Sequence, residues 1–189
     1  MKKILLPIDE NQVRSLRAGD AISISGLIHT GRDKFHKFFA DGGKIGVDFN
    51  GGALYHCGPV VIKENGIWQV KAAGPTTSVR ENPYESAFIE KSGVRLIIGK
   101  GGMDDKTHDA MKRFGCVYVQ AVGGAAALAA QAVKSVDGVD FLEEFGAAEA
   151  CWHFNVEDFT GIVAMDSLGN SLFKAVADYS SKRLLELLG

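Results

Sequence analysis

The chain has 189 residues, 46% of them hydrophobic and 23% charged, the composition of a soluble globular protein with enough length to bury a core without metal or disulfide staples. No run approaches the roughly 18 consecutive apolar residues that a bilayer demands, and the three-residue apolar run after Met1-Lys2-Lys3 is too short for a signal peptide, so a cytoplasmic protein is expected. With 21 Lys plus Arg against 23 Asp plus Glu, the net charge of -2 gives no general reason to bind nucleic acid or anionic membrane, and any anion must be met by a few local cations.

In chain order, Ala21 to Ile28 alternates polar and apolar residues and predicts a strand, turned by His29-Thr30-Gly31. Asp33 to Ala40 places Phe35, Phe38 and Phe39 on one face of a helix that Gly42-Gly43 stops. Short strands are expected at Ala53–His56, Val60–Lys63 and Ile67–Ala72, the last two joined by a hairpin turn at Glu64-Asn65-Gly66. The small-residue loop Gly74 to Arg80 leads to a helix from Pro83 to Ser92. A buried parallel strand at Val94–Ile98, a helix at Lys106–Phe114 and a strand at Val117–Val122 follow. Gly123-Gly124 then opens a helix from Ala125 to Val133 whose alanines permit close packing on a sheet. Beyond residue 150 the pattern predicts strands at Trp152–Val156 and Ile162–Met165, a turn at Asp166–Asn170 and a terminal amphipathic helix from Ala175 to Leu188. Strand alternating with helix makes this an α/β chain, a parallel α/β layer with added β-hairpins, and without linker or repeat it reads as one domain over 1–189.

Glycine is the compositional anomaly, 23 of 189 residues against an average of about 7%, and it clusters beside apolar strands. The cations stand among these glycines. Arg32 follows a glycine at a strand-to-helix turn, Arg80 closes the Gly-Pro-Thr-Thr-Ser loop, and Lys100 lies between Gly99 and Gly101. In an open α/β sheet ligands bind at the carboxyl ends of strands, and Arg with Lys there suits a small polyanion. The alternative for each is a solvated surface cation. Gly99-Lys100-Gly101-Gly102 lacks the order of a phosphate-binding loop. Thr76, Thr77 and Ser78 could cap the following helix or, beside a carboxylate-binding Arg, move a proton. Asp33 and His36 are placed to orient Arg32. Cys57, Cys116 and Cys151 have no metal spacing and read as small core residues, and His29, His56, His108 and His153, with no two at ligand spacing on one element, read as structural or surface residues. No metal ligand set is expected from spacing.

Five segments in order carry a resemblance: Gly31–Lys37, Tyr55–Pro59, Gly74–Arg80, Ile98–Gly102 and Val122–Leu128. With Ala147–Trp152 and Asp166–Leu172, they resemble the β subunit, or C-terminal domain, of the iron-sulfur hydro-lyases, class I fumarase and L-tartrate dehydratase, over nearly the whole chain. The resemblance implies a swivelling β/β/α domain and a partner α subunit that carries a [4Fe-4S] cluster. Arg32, Arg80 and Lys100 match the family's carboxylate-binding cations, and Thr76 matches the hydroxyl proposed as catalytic base, with Asp33, His36 and Thr77 supporting. It also implies a small dicarboxylate substrate, fumarate and L-malate ahead of L(+)-tartrate, and a heterotetramer or self-associated β dimer. A non-catalytic anion-binding or assembly module of the same fold is the competing class. Departures from the family pattern are confined to Phe35 in the first helix and to Val79 and Glu81 around Arg80.

Overall fold

A computed structural model describes residues 1–188. Five parallel strands form its spine in the order β1 (Lys2–Leu5), β2 (Ala21–Thr30), β3 (Ala53–Tyr55), β6 (Leu96–Gly99) and β7 (Val117–Gln120). The last long strand, β9 (Cys151–Met165), runs antiparallel to β7 through its C-terminal residues and antiparallel to β2 over Ala21 to His29. β2, β3, β6, β7 and β9 therefore pair in a closed ring. β8 (Val133–Asp140) adds to the other edge of β9, and β4 (Val60–Glu64) with β5 (Ile67–Ala72) makes a separate hairpin.

Alternation along the strands sorts the core into two halves. Leu96 and Ile98 join Ile22, Ile24, Ile28, Tyr55, Val117, Val119, Phe154 and Phe159 in one cluster, whereas Ile97 between them joins Phe35, Phe49, Leu54, Phe88, Met111 and Tyr118 in the other. The second half lies under the helices α2 (Asp33–Ala40), α3 (Asn82–Ser92) and α4 (Asp105–Phe114). Full burial of each such side chain is worth about 1.5–3 kcal/mol, so the two clusters account for the ring's integrity on both faces.

The predicted α2 has the observed limits, and Phe35 meets Phe49 and Phe88 while Phe38 meets Phe141 and Phe145. The β4–β5 turn places Asn65 and Gly66 at φ 51° and 82°, the left-handed pair that matches strand twist in a tight hairpin. Several elements differ from expectation. β1 and α1 (Glu10–Arg14) were not predicted, although α1 carries a reciprocal cap in which Asp9 accepts from the Gln12 N–H and the Gln12 side chain accepts from the Asp9 N–H. The alanine helix α5 (Ala126–Gln131) stops before Val133, because Val133, Val136 and Val139 pack on the core as strand β8. A short helix α6 (Leu142–Phe145) follows, and the two strands expected after residue 150 are one, β9.

The terminal helix α7 (Leu172–Leu188) begins against Gly102 and Tyr118 through Phe173, but Val176, Leu184, Leu185, Leu187 and Leu188 are all exposed. Among the described residues, no helix is long and apolar enough to cross a membrane.

Candidate functional site

Arg32 and Lys100 lie just beyond the carboxyl ends of parallel strands, the Thr76 loop is laced to two such ends, and Arg80 lies in the 3-10 turn Ser78–Glu81 that continues this loop. Arg32 follows β2, Lys100 follows β6, and the loop carrying Thr76 is stitched between the ends of β3 and β6. There Cys57 bridges Pro75, the Thr76 N–H donates to the His56 carbonyl at 2.7 Å, and Thr77 bridges Lys100 while the Ser78 N–H donates to the Lys100 carbonyl at 3.0 Å. This main-chain lacing places the threonine pair beside Lys100. The Lys100 side chain runs along Gly123, where an added Cβ would meet its Cδ at 3.7 Å.

Arg32 is held from two sides. Its guanidinium donates to the Ala148 carbonyl at 3.3 Å and pairs with Glu149 at 3.3 Å, and it lies so close over Gly58 that any side chain there would overlap it. Its Nε is enclosed without a hydrogen-bond partner. Asp33 does not orient Arg32, as the sequence suggested, but pairs with Arg80. Thr77 precedes a 3-10 turn (Ser78–Glu81) without capping it through its side chain, so the helix-capping alternative does not describe these hydroxyls. Thr76 is half-buried, while Thr77 and Arg80 are exposed, and the rim is open to solvent.

Beneath the rim runs a buried polar network of which sequence reasoning singled out only His36 and Ser78 as candidates. The His36 main chain and its Nδ1–H both donate to the Arg32 carbonyl at 2.9 Å, and its Nε2 faces Glu85 at 3.0 Å. A carbonyl can only accept, so Nδ1 must carry hydrogen. Burial opposes charge on His36, but the neighbouring Glu85, with Glu81 and the Arg32 carbonyl, outweighs it and raises its pKa. Burial would likewise raise Glu85, yet His36 and His56 hold it low. Burial lowers His56 despite the Glu85 contact, so this ring is neutral. Its Nε2–H donates to Glu85 at 3.0 Å and its Nδ1 accepts from the Ser78 hydroxyl at 2.9 Å. Ser78 in turn accepts from the Tyr118 hydroxyl at 2.9 Å, and Tyr118 accepts from the Gly102 N–H at 3.3 Å. Gly99 is required beside this chain because a Cβ would overlap the Ser78 oxygen. Glu81 and Glu85 are four residues apart, one turn along a helix, which is the one sequence signal that could have found them.

Glu81 is pushed up to about 8 by burial, against the pull of His36 and with reinforcement from Asp33. A carboxyl raised from its ordinary 4.5 binds a proton in the folded but not the unfolded chain between those values. Its contribution is therefore intact at low pH and is lost as pH rises through about 8, and His36 adds in the same direction. Unfolding free energy is expected to fall by roughly 1–4 kcal/mol between mildly acidic and alkaline pH, at about 1.4 kcal/mol per pKa unit, and Glu81→Gln should flatten that fall. Urea unfolding across the range checks it, and an unchanged slope in the variant would place its source elsewhere.

The cysteines do not fit an iron-sulfur cluster. Cys57 belongs to one half of the core and Cys116 and Cys151 to the other, and all three are buried. Burial pushes the Cys57 thiol up to about 12 and the other two higher still. Three thiolates cannot gather here without dismantling the sheet.

Residues 2–176 match the protein-family model described as Fumarase C-terminus. The chain is 52% identical over 179 residues to a putative class I fumarate hydratase of Geobacillus stearothermophilus, covering 94% of this chain but 34% of that protein. It is 40% identical over 187 residues to a putative L(+)-tartrate dehydratase subunit beta of Methanocaldococcus jannaschii, covering 96% of each. A third relative, the L(+)-tartrate dehydratase subunit beta of Escherichia coli (strain K12), is 38% identical over 175 residues, 91% of this chain and 87% of that one. The chain thus spans about a third of the first relative and nearly all of the other two.

Proposed function

Because this chain belongs to the Fumarase C-terminus family, we propose that it acts as the β subunit of a [4Fe-4S]-dependent hydro-lyase that interconverts fumarate and L-malate. The observation that carries the reading is the open rim at the strand ends, where Arg32, Arg80, Lys100 and the Thr76 loop stand over a buried histidine–glutamate network. The dispersal of Cys57, Cys116 and Cys151 supports placing the cluster on a partner α subunit, which the "subunit beta" names of two relatives also favour. The whole chain, 1–189, is assigned to one domain of the swivelling β/β/α type, supported by the closed ring of strands with helices outside it, and to the cytoplasm.

Loss of water from malate removes a weakly acidic C–H proton beside a carboxylate, so negative charge builds on that carboxylate in the transition state. Cations already fixed in place stabilise it without reorganising. In this reading Arg32 and Lys100 bind the substrate carboxylates, Arg80 adds a bidentate fork, and Thr76 moves the C3 proton. Arg32 has an uncommitted Nε–H, and its main chain is fixed by His36. The near-complete two-way match to tartrate dehydratase β subunits favours L(+)-tartrate as the second substrate to try.

The purified chain is expected to be colourless and inactive towards malate, fumarate and tartrate. Anaerobic co-expression with an α partner should give a brown, oxygen-sensitive hydratase, and the ratio of kcat/KM for malate and tartrate then names the acid. Substantial hydratase activity from this chain alone would overturn the shared-site reading.

A further inference from the structure

On the strands that lead into the rim, β2, β8 and β9 bring imidazole, thiol and carboxylate side chains onto one face. His29 pairs with His153 across the antiparallel β2–β9 ladder, Cys151 lies two residues from His153 and so projects on the same side, and Asp140 of β8 pairs with Cys151. The His29 and His153 Nδ1 atoms face each other at 2.8 Å, and one ligand atom from each of His29, Cys151 and His153 lies within 4.8 Å of the other two. The Asp140 Oδ2 lies 3.5 Å from His153 Nε2 and is enclosed without a hydrogen-bond partner. Phe49 stands edge-on to His29 at 5.0 Å, and His153 lies over Gly138, where a Cβ would meet its ring at 3.0 Å.

We propose that His29, Cys151 and His153 form a binding site for a zinc-class divalent transition metal ion, with Asp140 orienting His153. Two imidazoles and one thiolate are a donor set for zinc or cobalt rather than for magnesium or calcium, which take oxygen ligands. Metal–nitrogen bonds of about 2.0 Å and metal–sulfur bonds of about 2.3 Å separate tetrahedral ligands by roughly 3.3–3.6 Å. The two Nδ1 atoms, at 2.8 Å, would part by about half an ångström, and the Cys151 sulfur, within 4.8 Å of the chosen imidazole nitrogens, would close to thiolate distance. Binding would release the Cys151 thiol proton to water and leave each coordinated Nδ1 without hydrogen, with the His153 Nε2–H directed at Asp140 as in carboxylate–histidine–metal pairs. The fourth position is left for water. The ion would pin the start of β9, where Trp152 N–H and the Ala150 carbonyl clasp Thr30 and where Glu149 holds Arg32.

The test uses the full chain, stripped with a chelator and then equilibrated with zinc or cobalt(II). One equivalent of zinc is expected, and cobalt should show intense tetrahedral visible bands with a near-ultraviolet thiolate charge-transfer band. Cys151→Ser should abolish the charge-transfer band, Asp140→Asn should weaken affinity by roughly 10–100-fold, and His36→Gln should leave both spectra unchanged. Failure of the wild-type chain to hold one equivalent would overturn the proposal and leave a hydrogen-bonded His29–His153 pair. A cobalt spectrum without charge transfer, or one that survives Cys151→Ser but not His36→Gln, would overturn it by placing the ion among His36, His56 and Glu85. The wild-type stoichiometry decides the first point even if a variant folds poorly.

Discussion

Replacing Thr76 with alanine in the assembled enzyme is expected to lower kcat by roughly two to four orders of magnitude with little change in KM, the span typical of losing a positioned proton-transfer group. The selectivity of that effect follows from where Thr76 sits. Its main chain is held by the His56 carbonyl and its neighbour Thr77 by Lys100, so removing one hydroxyl leaves the loop's lacing intact and the cations in place. Ground-state binding is then preserved while the step that needs the hydroxyl is not. Deuterium exchange at C3 of malate reads the same step directly. Wild-type exchange in the Thr76→Ala complex would move the base to another residue.

Arg80→Ala should reduce kcat/KM by roughly 30- to 1,000-fold, corresponding to about 2–4 kcal/mol for one preorganised donor to developing charge. Arg80→Lys should recover little of it, because an ammonium restores charge without the two-pronged geometry. The same substitution should scarcely affect folding. Arg80 is 51% exposed and its one carboxylate partner, Asp33, sits at the open rim, where such pairs are worth about 0–1 kcal/mol. A variant with unaltered kinetics would remove Arg80 from the site, and one with a lowered unfolding midpoint matching its lost activity would make its role structural.

How much of this was legible in the sequence differs between the strands and the network. Arg32 and Lys100 could be found because each follows an apolar strand of the α/β layer, and Thr76 and Arg80 because they stand in a small-residue Gly-Pro-Thr-Thr-Ser loop, which the structure laces to those strand ends. β9 was harder. Asp158 and Gly161 interrupt its alternation, yet the strand continues because Asp158, at φ 54°, accepts from the Ser23 hydroxyl at 2.7 Å and donates its N–H to Ser25 at 3.1 Å. That repair comes from β2, more than 130 residues away, and no local window contains it. β8 was missed because its Lys-Ser-Val-Asp-Gly-Val-Asp stretch is polar on its exposed side and only half-buried on the other. The buried chain from Glu81 through Tyr118 joins partners from 22 positions apart, as in His56 and Ser78, to 49, as in His36 and Glu85, so single histidines and glutamates looked like ordinary surface or core residues until the sheet brought them into one line.

The closed ring of strands also sets the order in which the chain can be made. β2 is complete by Thr30, but its longest partner, β9, ends only at Met165, so during synthesis the β2 edge that β9 covers and that of β7 stay unpaired until almost the whole polypeptide has emerged. Pairings of such wide sequence separation are slow to form, and unpaired edges are where chains stick to one another. Any product cut short before β9 would present both edges at once, making early termination in this protein an aggregation hazard rather than a mere loss of function.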